Sequence, residues 1–263
     1  MAYISVINVA EQINKEFKKL YRLYKNTDIS RETIIFSDSK GFSLRDVLND
    51  RLKQKITVIA KSGSNIYNNA HYYKVKNAVK KAKNPVVIVW LGTCDITEKK
   101  GKYISVKSYP YQKIEFALNK YRTLKSRLLQ ANPEATVVFL ECPYYSITRF
   151  NKFKITNSNS KTGTNKYYQR NAIAASRADK QVCCMVDYFN DHLRLINRNC
   201  GTPRISQDII ASSKGARAER TSYRKNWNVY SDGIHPVRAL ARLWLYRVIE
   251  LATEIAAKTE SCG

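Results

Sequence analysis

The chain has 263 residues, enough for one large α/β domain or one domain with short appendages. A hydrophobic content of 44% with 18 tyrosines excludes global disorder, and only 9 glycines and 6 prolines exclude a loop-dominated or fibrous chain. Lys and Arg number 46 against 21 Asp and Glu, a net charge of +25, and a field that strong favours polyanions: nucleic acid, an anionic membrane or acidic substrates.

Residues 1–15 show no basic segment followed by an apolar one, so no secretory signal is expected, and no apolar run reaches spanning length. Residues 7–26 carry Ile13, Phe17, Leu20, Tyr21 and Tyr24 at helical spacing with Lys and Arg between them. This predicts a helical extension over residues 1–30, ahead of a domain at 31–258 and a tail at 259–263, and the helix is a candidate for self-association. Residues 33–36 (TIIF) form a short apolar run, and Leu44, Val47, Leu48 and Leu52 follow as a helix face. Ile56–Ala60 predicts a second strand and residues 66–83 a basic helix.

Residues 85–91 (PVVIVWL) are the clearest buried strand, β-branched and stopped by glycine. A helix over 111–130 shows Ile114, Leu118, Tyr121, Leu124 and Leu128 on one face. Residues 136–140 (TVVFL) predict a fourth strand, and residues 149–164, polar and rich in Lys, Asn, Ser and Thr, a long mobile loop. Residues 166–181 read as helix, 182–186 as a weak fifth strand, and 237–256 as a final helix. Apolar strands alternating with helices imply a parallel sheet covered on both faces, with ligand chemistry beyond the carboxyl ends of the strands. The six cysteines have no metal-like spacing and read as reduced thiols of an intracellular protein; no metal or other cofactor is expected.

The residues after the strands carry the chemistry. They are Ser37-Asp38-Ser39, then Gly63, then Gly92-Thr93-Cys94-Asp95, and, before the last helix, Asp232-Gly233-Ile234-His235. Each has a bland reading: Asp38 and Ser39 as a helix cap, the glycines as turns, Asp232 as a turn former. Taken together, in this order and each after the expected element, they resemble the four blocks of the SGNH (GDSL-type) serine hydrolase family, over about residues 32–250. The resemblance implies a three-layer α/β/α sandwich with a mostly parallel five-stranded sheet, flavodoxin-like. It also implies a serine esterase or acyl hydrolase acting on an ester substrate, with Ser39 as nucleophile, His235 as base and Asp232 as orienter. The oxyanion hole would use the Ser39 and Gly63 backbone N–H groups and the side chain of Cys94.

Two positions depart from the family pattern. Ser37 stands for the usual glycine, and Cys94 for the usual asparagine of the third block. A thiol donates poorly compared with an amide, so either turnover is slow, or Asn65 or Thr93 compensates, or the fold serves binding alone. His71 and His192 lack this context and read as surface or partly buried polar residues.

Cationic residues cluster on the predicted helix over 66–83, as Lys74, Lys76, Lys80, Lys81 and Lys83, and in two further places. One comprises Arg149, Lys152, Lys154, Lys161, Lys166, Arg170 and Arg177, with Tyr144, Tyr145, Phe150, Phe153, Tyr167 and Tyr168 among them. The other comprises Lys214, Arg217, Arg220, Tyr223, Arg224 and Lys225. Cations interleaved with rings suit phosphate contact and base stacking, hence RNA or another polyanion; a solvated surface is the bland alternative. The charge and leading helix are also similar to the esterase-like branch encoded in retrotransposon first open reading frames.

Overall fold

The structure, a computed structural model, describes residues 9–157, 172–198, 200–214 and 221–260. Nine helices and eight strands are found among them: α1 Val9–Tyr24, β1 Thr33–Ser37, α2 Lys40–Arg45, α3 Asp50–Lys53, β2 Ile56–Ala60, α4 Asn69–Lys81, β3 Val86–Trp90, α5 Thr93–Ile96, β4 Thr97–Lys100, β5 Tyr103–Val106, α6 Pro110–Ala131, β6 Thr136–Phe139, α7 Ile147–Thr156, α8 Ala172–Asn197, β7 Ile210–Lys214, β8 Thr221–Lys225 and α9 Arg238–Glu260.

The central sheet has four parallel strands in the order β2-β1-β3-β6. β1 and β3 are buried along their whole length, which is why their sequences are continuous apolar runs rather than alternating ones. Register fixes the functional rim: Ser37 pairs with Ala60 on one side and Trp90 on the other, so β1, β2 and β3 end level with each other. The turns that follow them therefore open at one edge.

Helices cover both faces. Phe36 and Phe139 point to one layer, where Phe36 meets His71 of α4 at 4.6 Å and Phe139 meets Tyr121 of α6 at 5.2 Å. Trp90 points to the other and meets Trp244 of α9 edge-on at 5.3 Å. Helix α1 packs on α9, burying Ile13 and Leu20, with Phe17 edge-on to Tyr246 at 5.5 Å. Ile13, Phe17 and Leu20 of the apolar stripe of α1 are thus used within the chain, while Tyr21 and Leu23 are exposed.

The expected fifth strand is not there: residues 182–186 lie inside α8. Side chains of α8 take its place at the free edge of β6. Asn197 accepts from Phe139 N–H at 2.9 Å and donates to Phe139 C=O at 2.7 Å, and Asn190 does the same for Cys142 at 2.8 and 2.9 Å. A carboxamide offers the donor and acceptor of a peptide unit, and two helical turns match the three-residue advance along the extended chain. The buried edge is satisfied without another strand.

Residues 149–164 were expected as loop, yet α7 occupies Ile147–Thr156. Ser146 caps it by accepting from Arg149 N–H, and Ile147 and Phe150 are buried beneath it. Two antiparallel hairpins, β4 with β5 and β7 with β8, lie outside the central sheet. Asn151 of α7 ties the first to the body by exchanging both bonds with Ile104 at 2.9 Å. No helix of the described residues is long and apolar enough to cross a membrane.

Candidate active site

Ser39 is half-buried at the turn between β1 and α2. That turn is tight because α2 rides on the strand ends: a Cβ at position 41 would stand 2.7 Å from Ser37 Cβ and 2.9 Å from Ala60 Cβ, so only glycine fits there.

The turn before α9 brings the other two groups. Asp232 is buried, and its Oδ1 accepts from the backbone N–H groups of Ile234 at 3.0 Å and His235 at 2.9 Å. Its Oδ2 lies 2.7 Å from His235 Nδ1, and His235 Nε2 lies 2.8 Å from Ser39 Oγ. Burial alone would raise the Asp232 carboxyl, but the imidazole and the two N–H groups outweigh it and hold it below the usual carboxylate range. With Nδ1 facing a carboxylate, the geometry assigns the proton there and leaves Nε2 to accept the serine hydroxyl.

Gly233 has φ +99, and a Cβ there would meet Ser146 O at 2.8 Å. The glycine lets α7 press on the turn, and Ser146 N–H donates to Gly233 C=O at 2.9 Å.

Gly63 and Cys94 sit on the turns after β2 and β3, at the same rim. Gly63 needs its positive φ of +68, not extra space. Its turn is held from behind by Ser64, whose hydroxyl lies 2.6 Å from His71 Nδ1. His71 Nε2 lies 3.2 Å from the Ile59 carbonyl, so Nε2 donates, Nδ1 accepts, and burial first of all pushes the ring below the ordinary histidine range. His71 is fully buried, deeper than the sequence reading placed it. Buried Asp95 links the second and third turns by accepting from Ile66 N–H at 3.1 Å and from Tyr121 O–H at 2.9 Å.

Gly92 has φ +119 and faces Cys142 and Phe189 so closely that a Cβ would meet each at 2.9 Å. The Cys94 thiol is half-buried and pushed by burial up to about 11, so at neutral pH it is a protonated, weak donor. Of the two compensating donors, the Thr93 hydroxyl oxygen is buried and accepts from the Lys40 ammonium, while Asn65 Oδ1 accepts from Tyr67 N–H, leaving its NH2 to donate.

Lys40 was missed by the sequence reading. It follows Ser39, is 1% exposed, and its ammonium lies 2.5 Å from Asp38 Oδ2 and 2.6 Å from Thr93 Oγ1. Nothing in the polar run Ser37-Asp38-Ser39-Lys40-Gly41 marks that lysine as buried.

The basic clusters are only partly placed. Arg149 donates to Asn228 Oδ1 at 2.7 Å, and Lys154 covers the rings of Phe150 and Phe153. Arg149 and exposed Lys152 line a groove of about 580 Å³ with Phe153, Trp227, Ser231 and Asp232. Arg224 is exposed on β8, and Lys225 lies 4.2 Å over the Tyr144 ring. Tyr144, Tyr145 and Phe150 are buried in the core, so those rings do not stack on a ligand; Phe153 is exposed. Lys161, Lys166, Arg170, Arg217 and Arg220, with Tyr167 and Tyr168, lie outside the described residues, as do the side chains of Lys214 and Tyr223.

Comparison with protein-family models gives no match, and comparison with curated protein sequences gives none either. Solved structures do match. A protein of Bacteroides fragilis NCTC 9343 assigned to the acylhydrolases superposes with a TM-score of 0.51 at 12% identity, over 96% of this chain and 98% of that one. A GDSL-like lipase from Bacteroides thetaiotaomicron VPI-5482 gives 0.49 at 11% identity, over 93% and 100%. A catalytic mutant of an acetylxylan esterase from Geobacillus stearothermophilus gives 0.44 at 11% identity, over 85% and 94%. At such identities the likeness concerns fold alone, and the first of the three carries it. The chain shares with that protein an α/β fold, a parallel sheet flanked by helices.

Proposed function

We propose that this protein is a serine-dependent carboxylic-ester hydrolase with Ser39, His235 and Asp232 as its triad. The observation that carries the reading is the unbroken chain from Asp232 Oδ2 through the imidazole to Ser39 Oγ, at 2.7 and 2.8 Å. Few side-chain arrangements other than an activated nucleophile call for a half-buried serine, a histidine within hydrogen-bond reach of it and a buried, hydrogen-bonded carboxylate in series.

In this reading Ser39 Oγ adds to the ester carbonyl carbon while its proton passes to His235 Nε2. Asp232 holds the ring and stabilises the imidazolium. The negative charge on the former carbonyl oxygen faces the N–H groups of Ser39 and Gly63 and the side chain at position 94. Collapse breaks the carbon–oxygen bond of the ester, and the alcohol leaves with the proton from His235. Water, deprotonated by the same nitrogen, then hydrolyses the acyl-serine and releases the acid. Hydrolysis of a short-chain 4-nitrophenyl ester, lost in Ser39→Ala, is the expected result; turnover that does not depend on Ser39 removes the reading.

A second reading is a catalytically weakened fold that binds RNA or another polyanion inside the cell, akin to the retrotransposon branch. The net charge of +25 and the poor donor at position 94 favour it. RNA affinity that falls steeply as salt rises supports this reading, because neutralised phosphates release counterions; affinity indifferent to salt removes it.

A further inference from the structure

A lysine in the core is rare, because its ammonium loses its hydration and must be fully paired. Lys40 meets that demand in three directions: the Asp38 carboxylate at 2.5 Å, the Thr93 hydroxyl at 2.6 Å, and the Trp90 ring, whose centroid is 5.5 Å away. Its own backbone N–H also donates to Asp38 Oδ1 at 3.0 Å.

These partners are not scattered. Asp38 belongs to the turn that presents Ser39, Trp90 ends β3, and Thr93 opens the turn that presents Cys94. A leucine or methionine would fill the volume without the desolvation cost, so a packing role does not account for the charge. What the charge does here is join the turn that carries Ser39 to Thr93, the residue next to Cys94.

Resting on the hydrolase reading above, we propose that Lys40 is a positioning residue for acyl transfer: it locks the Ser39 turn to the Cys94 turn and offsets the weak donor at position 94. The carbonyl oxygen gains its negative charge only as Ser39 attacks, so this fixed arrangement acts on the transition state more than on the bound ester.

The test is a kinetic cycle between positions 40 and 94. Lys40→Met alone strands the Asp38 carboxylate in the core, so the working variant is Asp38→Asn/Lys40→Met, which removes both charges at nearly constant volume. Thr93→Val cuts the same tie from the other turn and leaves the ion pair intact. Each is measured with 4-nitrophenyl acetate in the native background and in the Cys94→Asn background, with thermal melts to establish folding. Loosening of a turn that positions reacting groups predicts a kcat loss of about tenfold or more, with KM within about twofold. In the Cys94→Asn background, where an amide supplies the donor, the loss shrinks to less than about threefold.

A kcat within about twofold of wild type in both folded variants overturns the proposal. So does an equal loss in the two backgrounds, which marks a merely structural residue. Absence of any Ser39-dependent turnover in the wild type removes the hydrolase reading and this proposal together, whereas Ser39-dependent turnover that the position-40 changes leave within about twofold of wild type removes the proposal alone.

Discussion

Asn190 allows the edge-capping account to be tested quantitatively. Its side chain satisfies both the N–H and the C=O of Cys142, a residue with no exposed surface, at 2.8 and 2.9 Å. Asn190→Leu keeps the number and branching of the heavy atoms with somewhat larger methyl ends, so no cavity opens, but it leaves one buried donor and one buried acceptor without partners. Each such group costs about 1–3 kcal/mol, and partial relaxation of the chain end brings the expected total to roughly 2–4 kcal/mol. For a chain of this length that corresponds to a fall in Tm of roughly 5–15 °C. Guanidinium unfolding followed by tryptophan fluorescence reads the change directly, since Trp90 and Trp244 are in the core. The midpoint should shift with the slope unchanged. A loss below about 1 kcal/mol refutes the idea that the asparagine stands in for a fifth strand. The consequence reaches the site, because Cys142 is what Gly92 packs against.

Two further outcomes follow from the same geometry. Gly92→Ala combines a φ of +119 with a Cβ only 2.9 Å from Cys142 Cβ and Phe189 Cε1, and should cost roughly 2–6 kcal/mol; wild-type Tm in that variant contradicts it. His71 is held neutral in the fold, with burial the first cause and Lys61 and Lys74 assisting against Asp38. A histidine whose folded pKa is depressed contributes stability that is present above its unfolded value, about 6.5, and declines as pH falls below it. Urea midpoints of the wild type should drop between pH 7.5 and 5.5 by more than those of His71→Gln; parallel profiles reject the assignment.

The four sheet strands were legible because each is an uninterrupted β-branched run with a polar stop, and in Val86–Trp90 nothing competes with that signal. The meeting of Ser39, His235 and Asp232 was legible for a different reason. Asp232 and His235 sit three residues apart before a recognisable helix, and Ser39 follows a recognisable strand, so the parallel register did the rest. Residues 182–186 misled because five apolar residues are too short a window to reveal a period. Over a longer stretch Val182, Met185, Val186, Phe189 and Leu193 recur at helical spacing and are all buried. In α7 the cap at Ser146 was readable, but the Lys and Asn content of the stretch hid it; the buried face needs only Ile147, Phe150 and Asn151. Tyr144 and Tyr145 were read as candidates for base stacking because of their basic neighbours, with burial of some tyrosines as the alternative, and tertiary packing takes both inward. Lys40 was invisible, since only the folded chain brings Asp38, Trp90 and Thr93 around it.

The most direct test of the account is covalent labelling of the nucleophile. A fluorophosphonate probe, with the site located by peptide mass spectrometry, should modify Ser39 in the wild-type protein, and His235→Ala should slow that labelling by orders of magnitude, since the base that takes the hydroxyl proton is gone. Equal labelling of both proteins, or an unmodified Ser39 beside intact folding, would contradict it.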